Sequence, residues 1–143
     1  MMEELFLDTT YVMPFLYLDI DVDGYSRDKY REIIGSIDKV HISIISIIEA
    51  KACSLRIGER QCNEKFNVGL AILSSDEKVE IHGYTPETDK KFNEIVSLGL
   101  GFFDSIILAQ SYQVGRLLTE DSRLLQLSND IEILNWKMLL DEF

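Results

Sequence analysis

Asp104 and Asp121 stand seventeen residues apart near the two ends of the stretch GFFDSIILAQSYQVGRLLTED, Gly101 to Asp121. The spacing predicts a short loop, a buried helix from about Phe102 to Val114, a turn at Gly115 and a strand Arg116–Thr119. A helix of about 12 residues runs ~18 Å at 1.5 Å per residue. A strand covers most of that length on the way back, at about 3.3 Å per residue. The chain goes down and returns, so both carboxylates are expected at one edge of a sheet. Two carboxylates brought together repel each other, and such a pair calls for a cation or a shared proton between them.

Two more acids have the same setting. Glu4-Leu5-Phe6-Leu7-Asp8 reads as a central parallel strand, buried on both faces and ending on an aspartate. Thr9 and Thr10 are candidate caps for a following helix carrying Tyr11, Val12, Phe15 and Leu16, with Pro14 near its first turn. Lys39–Ser43 reads as a second strand, and Ser43–Ser46 leads into a helix ending at Gly58. Glu49 lies early in that helix among Ile44, Ile45, Ile47 and Ile48, where a carboxylate is costly to desolvate unless it is paired; the plainer alternative is that it faces outward. A helix from about Glu59 to Ser74, a strand Val79–His82, and a helix opened by Thr85-Pro86-Glu87 and ended by Gly99/Gly101 come next. A last strand, Ile131–Leu134, and a terminal helix, Trp136–Phe143, close the chain. This alternation predicts one α/β domain spanning 1–143, a three-layer sandwich around a central, mainly parallel sheet of about five strands. Ligands of such sheets bind beyond the carboxyl ends of the strands. Asp8, Glu49, Asp104 and Asp121, read as four strand–helix junctions, all map there.

Four carboxylates with no His or Cys among them are hard oxygen donors suited to Mg²⁺ or Mn²⁺. No GxxxxGK[ST] phosphate loop is present, nor a Ser–His–Asp or Cys–His arrangement. His41 and His82 look isolated from each other and from Cys53 and Cys62, which argues against a zinc cluster. Asp19-Ile20-Asp21-Val22-Asp23-Gly24 imitates the start of a calcium loop, but Tyr30 stands where position 12 needs a bidentate Glu. A solvated acidic turn before a helix Ser26–Ser36 is the better reading.

At 143 residues and 46% hydrophobic, the chain has material for one proper core. It has no apolar run of about 18 residues, so no membrane span is expected. The start MMEELFLD lacks the features of a signal peptide, which predicts a cytoplasmic location with both cysteines reduced. Against 14 basic residues stand 25 acidic ones, a net charge of −11. That balance opposes broad electrostatic binding of nucleic acid. If the acidic edge nonetheless acts on nucleic acid, the charge must be unevenly spread, and Lys51, Arg56, Arg60, Arg116 and Arg123 are the candidates to rim that edge.

The ordered set Leu7-Asp8-Thr9, Ser46–Glu49, Phe103-Asp104-Ser105-Ile106-Ile107-Leu108-Ala109 and Leu118-Thr119-Glu120-Asp121 resembles the PIN domains of VapC-type toxins along nearly the whole chain. The resemblance implies a PIN-like fold and a metal-dependent endoribonuclease, commonly a homodimer, held inactive by a small antitoxin. Asp8, Glu49 and Asp104 match the core metal-binding acids, Asp121 the more variable fourth, and Thr119 a hydroxyl lining the same site. Thr9, Thr119, Arg56 and Arg123 are the candidate RNA contacts, and a basic antitoxin segment is the expected inhibitor. Two other readings compete: a catalytically inactive interaction module on the same fold, and a regulatory metal binder using the Asp19–Asp23 turn.

Overall fold

The computed structural model describes residues 3–127 and 130–143. Five strands form one all-parallel sheet, in the order β3 (Val79–His82), β2 (Lys39–Ser43), β1 (Glu4–Leu7), β4 (Arg116–Leu118), β5 (Glu132–Leu134). Helices α1 (Thr9–Val12), α2 (Arg27–Ser36), α3 (Ile44–Ile57), α4 (Arg60–Ser75), α5 (Pro86–Ile95), α6 (Phe102–Ser111), α7 (Ser122–Leu125) and α8 (Trp136–Asp141) complete the described elements. The three-layer α/β arrangement expected from the sequence is the one found.

Strand alternation sends neighbouring side chains to opposite faces. Leu5 and Leu7 of β1, with Val40 and Ile42 of β2, face a core filled from α1, α2, α3, α4 and α8. Phe6 and Leu117 face a second core, with Ile95, Ile107, Leu108 and Leu124 from α5, α6 and α7. Strands buried on both faces need continuous apolar runs, which is why LFL and RLL carry no alternation.

The differences from expectation are local. Asp8 itself caps α1, its Oδ1 accepting the Thr9 N–H at 2.8 Å; neither Thr9 nor Thr10 does so. That helix stops after one turn, and Met13–Leu16 continues as a 3₁₀ turn with Pro14 at its start. Asp104 follows no strand: α5 runs through a 3₁₀ turn, Val96–Leu98, and Gly99 (φ +80°) into α6, so the expected strand–helix junction is a helix–helix connection. A short helix, α7, was not expected, and Asp121 caps it. In the acidic turn, Asp19, Asp21 and Asp23 are exposed while Ile20 and Val22 pack on the core, and Ser26 caps α2 as expected.

Helix α4 crosses the 3₁₀ turn so closely that a Cβ at Gly69 would lie 2.4 Å from the Phe15 carbonyl oxygen and 3.0 Å from Leu16 Cα. Both obstacles are backbone and cannot swing aside. Gly35 in α2 has nothing within 4 Å of the same position. Ala is better than Gly in a helix by about 0.5–1 kcal/mol, whereas overpacking costs about 1–3 kcal/mol. Gly35→Ala is therefore expected to stabilise the protein and Gly69→Ala to destabilise it, as read by urea unfolding. Equal effects of the two substitutions would show that the crossing relaxes freely.

Candidate active site at the carboxyl edge

β1 ends at Leu7, and the Asp8 N–H donates to the Leu118 carbonyl at 3.0 Å, so Asp8 lies where β1 and β4 finish. Beside it, the Thr119 N–H continues the ladder to the Leu134 carbonyl of β5. Thr119 is fully buried. Its hydroxyl donates to Asp8 Oδ2 at 2.6 Å and accepts the Asp121 N–H at 3.0 Å. A hydroxyl has one proton, so this side chain is fully committed to aligning two acids.

Thr9 does the same for Glu49. Its hydroxyl donates to Glu49 Oε1 at 2.7 Å and lies 2.9 Å from Ser46 Oγ. Because Thr9 gives its proton to the carboxylate, Ser46 must be the donor in the second bond. In the sequence Ser46 figured only as the start of the Ser46–Glu49 motif, with no role; its place three residues before Glu49, on one helix face, was the available signal. Glu49 is half-buried rather than turned out to solvent.

Asp104 and Asp121 meet through a cation. Arg123 Nη2 lies 3.0 Å from Asp104 Oδ2 and 3.3 Å from Asp121 Oδ2, while Asp121 Oδ1 accepts the Arg123 N–H at 2.9 Å. The down-and-back path of α6 and β4 thus does bring these two acids to one edge. Helix α6 is held there by burial of every residue from Ser105 to Ser111, and by Gln110 Nε2, which donates to the carbonyls of His82 and Gly83.

The electrostatics follow from this crowding. Burial pushes the Asp8 carboxyl up to about 6, against the hydrogen bonds of Thr119 and Thr9, and the Asp104 and Glu49 charges add to the rise. Asp104 is raised too, first by burial and then by Asp121, with Arg123 opposing. Burial would also raise Asp121, but the Arg123 guanidinium and the N–H groups of Arg123 and Leu124 hold it below its ordinary value. The four acids nonetheless form an open set. Among the described residues, the metal-ligating atoms found within 4.8 Å of one another belong instead to His41, Glu80 and His82. An open, all-oxygen set fits a hard ion that keeps several of its waters.

The cations are placed differently from expectation. Of the five expected at the rim, only Arg123 bonds to these acids. Arg116 begins β4, at the opposite edge, and pairs with Glu132 and Glu142. Arg60 pairs with Glu64 on an exposed face of α4. Lys51 lies 4.8 Å over the Phe66 ring. Arg56 is exposed in the last turn of α3, seven residues or about 10 Å of helix beyond Glu49. Glu120, next to Asp121, is structural: it accepts the Tyr11 hydroxyl and the Trp136 N–H.

No protein-family model matches the chain, and no curated protein sequence matches it. Solved structures do. VapBC2 from Rickettsia felis, described as bound to a DNA fragment from their promoter, is 15% identical over 93% of this chain and 98% of that one, with a TM-score of 0.64. PAE2754 from Pyrobaculum aerophilum is 20% identical over 98% and 88%, at 0.66. VapC20 from Mycobacterium tuberculosis, described as a Sarcin-Ricin loop cleaving toxin, is 14% identical over 90% and 98%, at 0.57. The chain has the VapC fold. That is the PIN-like architecture which the ordered acids implied, shared over nearly the whole length of each structure.

The raised Asp8 value has a testable sign. Its folded value of about 6 lies above its ordinary value of 3.8, so the folded state holds the extra proton between them. This contribution to stability is fully present below about pH 4 and is lost as pH rises through 6. Between pH 4.5 and 7.5 the loss is about 2 kcal/mol. In EDTA, Asp8→Asn is expected to gain about that much on wild type across this window. Parallel urea-unfolding profiles would mean that Asp8 is not desolvated.

Proposed function

We propose that the chain is a divalent-metal-dependent endoribonuclease, the toxin of a toxin–antitoxin pair, hydrolysing RNA phosphodiester bonds. The observation that carries this reading is the meeting of Asp8, Glu49, Asp104 and Asp121 at the carboxyl edge of a sheet with the VapC fold. The all-oxygen donor set fits Mg²⁺ or Mn²⁺, which Asp8, Glu49 and Asp104 would hold with Asp121 alongside. Such an ion supplies polarisation of a phosphoryl oxygen and a bound water of lowered pKa.

The chain's own residues supply the rest. Thr119 and Thr9 fix the rotamers of Asp8 and Glu49, leaving Asp8 little freedom to swing away. Arg123 occupies the Asp104–Asp121 pair as a resident cation, and its side chain is 58% exposed. Were a metal held by these acids, Arg123 would be released to meet an RNA phosphate, with Arg56 further out along α3. An arginine held by these two acids supports a mode of inhibition in which a guanidinium of a basic antitoxin segment would take the same seat. Ile44 and Ile48 are exposed on α3, while Ile33 and Ile37 are in the core; the α3 face therefore supports a homodimer, which light scattering tests against the 16.5 kDa of one chain. With no helix of the described residues long and apolar enough to cross a membrane, the cytoplasm is the proposed location.

The inactive interaction module remains a second reading because Arg123 pairs with two of the four acids, in a chain of net charge −11. Cleavage of a total RNA pool, with and without Mg²⁺ or Mn²⁺, separates the two. Second-shell changes around a metal cost about 10–100-fold, so Asp104→Asn and Glu49→Gln are each expected to lower cleavage at least about 100-fold. Arg123→Gln is expected to tighten Mn²⁺ binding while weakening RNA binding, with a salt slope smaller by about 1. Metal-independent cleavage removes the metal-dependent reading, and no cleavage by the wild type removes the nuclease reading altogether.

A further inference from the structure

His41 and His82 are 41 residues apart in sequence and were expected to lie apart. The parallel register of β2 and β3 sets His41 opposite Glu80 and Ser43 opposite His82, which puts both imidazoles and the Glu80 carboxylate on the α5/α6 face of the sheet. His41 Nδ1 lies 2.8 Å from His82 Nε2 and 3.4 Å from Glu80 Oε2. The ligand atoms of the three side chains fall within 4.8 Å of one another.

We propose that His41, Glu80 and His82 form a site for Zn²⁺ or a like divalent transition ion, separate from the carboxyl-edge acids. This does not rest on the nuclease reading. The donor set is two imidazoles and one carboxylate, the three-ligand pattern that leaves a fourth position to water. Tetrahedral bonds of about 2.0–2.2 Å put neighbouring ligand atoms about 3.3 Å apart. The Nδ1–Glu80 distance already matches. The 2.8 Å between the two nitrogens must open by about 0.5 Å.

The surroundings orient the ligands. On its far side, His41 Nε2 lies 2.8 Å from Glu4 Oε1. A carboxylate only accepts, so Nε2 carries a proton, and in the neutral ring the Nδ1 lone pair faces His82 and Glu80. A carboxylate behind a histidine that presents its other nitrogen is the usual second shell of a metal-bound imidazole. His41 is buried and its ring stacks on Phe6, which fixes its direction. Burial, then the neighbouring His41, holds His82 below its ordinary value, keeping it in the neutral form a ligand needs. Lys39 Nζ lies 3.2 Å from the same Glu80 oxygen that faces His41, so an ion taking Oε2 must displace the ammonium from it. Entry is from a cavity of about 440 Å³ lined by Glu80, His82, Gly83, Thr85 and Gln113. Because β3 is the edge strand, an ion here would pin it to β2.

The test uses the full chain, stripped with EDTA and titrated with ZnCl₂ and CoCl₂. Wild type and Asp104→Asn are expected to bind one equivalent at the histidine site with equal affinity, to show tetrahedral Co²⁺ absorption and shifted His ring resonances, and to gain about 5 °C or more in Tm at hundredfold excess. His82→Asn and Glu80→Gln are each expected to weaken binding at least about tenfold, and Glu4→Gln by about 10–100-fold. Glu80 is exposed, so Glu80→Gln keeps the test decisive if a histidine variant fails to fold. Zn²⁺ binding that survives His82→Asn and Glu80→Gln, or that is lost in Asp104→Asn, overturns the proposal. So does no binding by wild type.

Discussion

Like charges gathered at one edge of a parallel sheet are the constraint to which this molecule answers. Asp8, Glu49, Asp104 and Asp121 reach that edge from four different elements. Each is secured by a partner with no charge of its own sign. Thr119 gives its proton to Asp8 and takes one from the Asp121 backbone; Thr9, supported by Ser46, gives its proton to Glu49. Only the outer pair receives a full cation, from Arg123. The inner acid, Asp8, is left with hydroxyl and amide donors alone, and it is the one pushed up to about 6. Neutral dipoles align a carboxylate but do not compensate its lost hydration. The site is thus preorganised in geometry and undercompensated in charge, a combination that favours a divalent ion.

The rest of the fold maintains that edge. Asp104 depends on α6, a helix buried from Ser105 to Ser111 and tied at Gln110 to the end of β3. Asp8 depends on Leu5, Phe6 and Leu7, fully buried between two cores. Glu120 fastens α8 and Tyr11 to the turn that carries Asp121. The acids sit on the ends of rigid elements, and the close crossing of α4 at Gly69 keeps the loop after α1 in place.

Much of this was legible in the sequence because it rests on local signals. The strands Lys39–Ser43 and Val79–His82 and the caps Ser26 and Thr85 were readable from apolar runs and turn chemistry. So was the meeting of Asp104 with Asp121, since one helix and one strand separate them. What escaped depends on tertiary register. Arg116 reads as a neighbour of Thr119, yet a strand separates its two ends, and the start of β4 lies at the far edge. Asp8 serves as a cap because its backbone is extended there, which Thr9 and Thr10 hid. His41 and His82 meet only because β2 and β3 pair in one register of several that an apolar run permits.

The same register separates two kinds of cation chemistry within one sheet. Near the β1–β4 boundary every donor is an oxygen, whereas on β2 and β3 imidazoles dominate. Strands lie about 4.8 Å apart, so β3 is about 10 Å from β1. At that distance the acids and the histidine cluster are independent in their ligands but share one field. The field of a chain of net charge −11 would favour divalent ions at both. Discrimination between them cannot come from charge and must come from donor type: hard ions are held weakly by imidazole, and borderline ions prefer it. Arg123, seated between two of these acids, is the positive charge that a cation bound at the edge would have to displace.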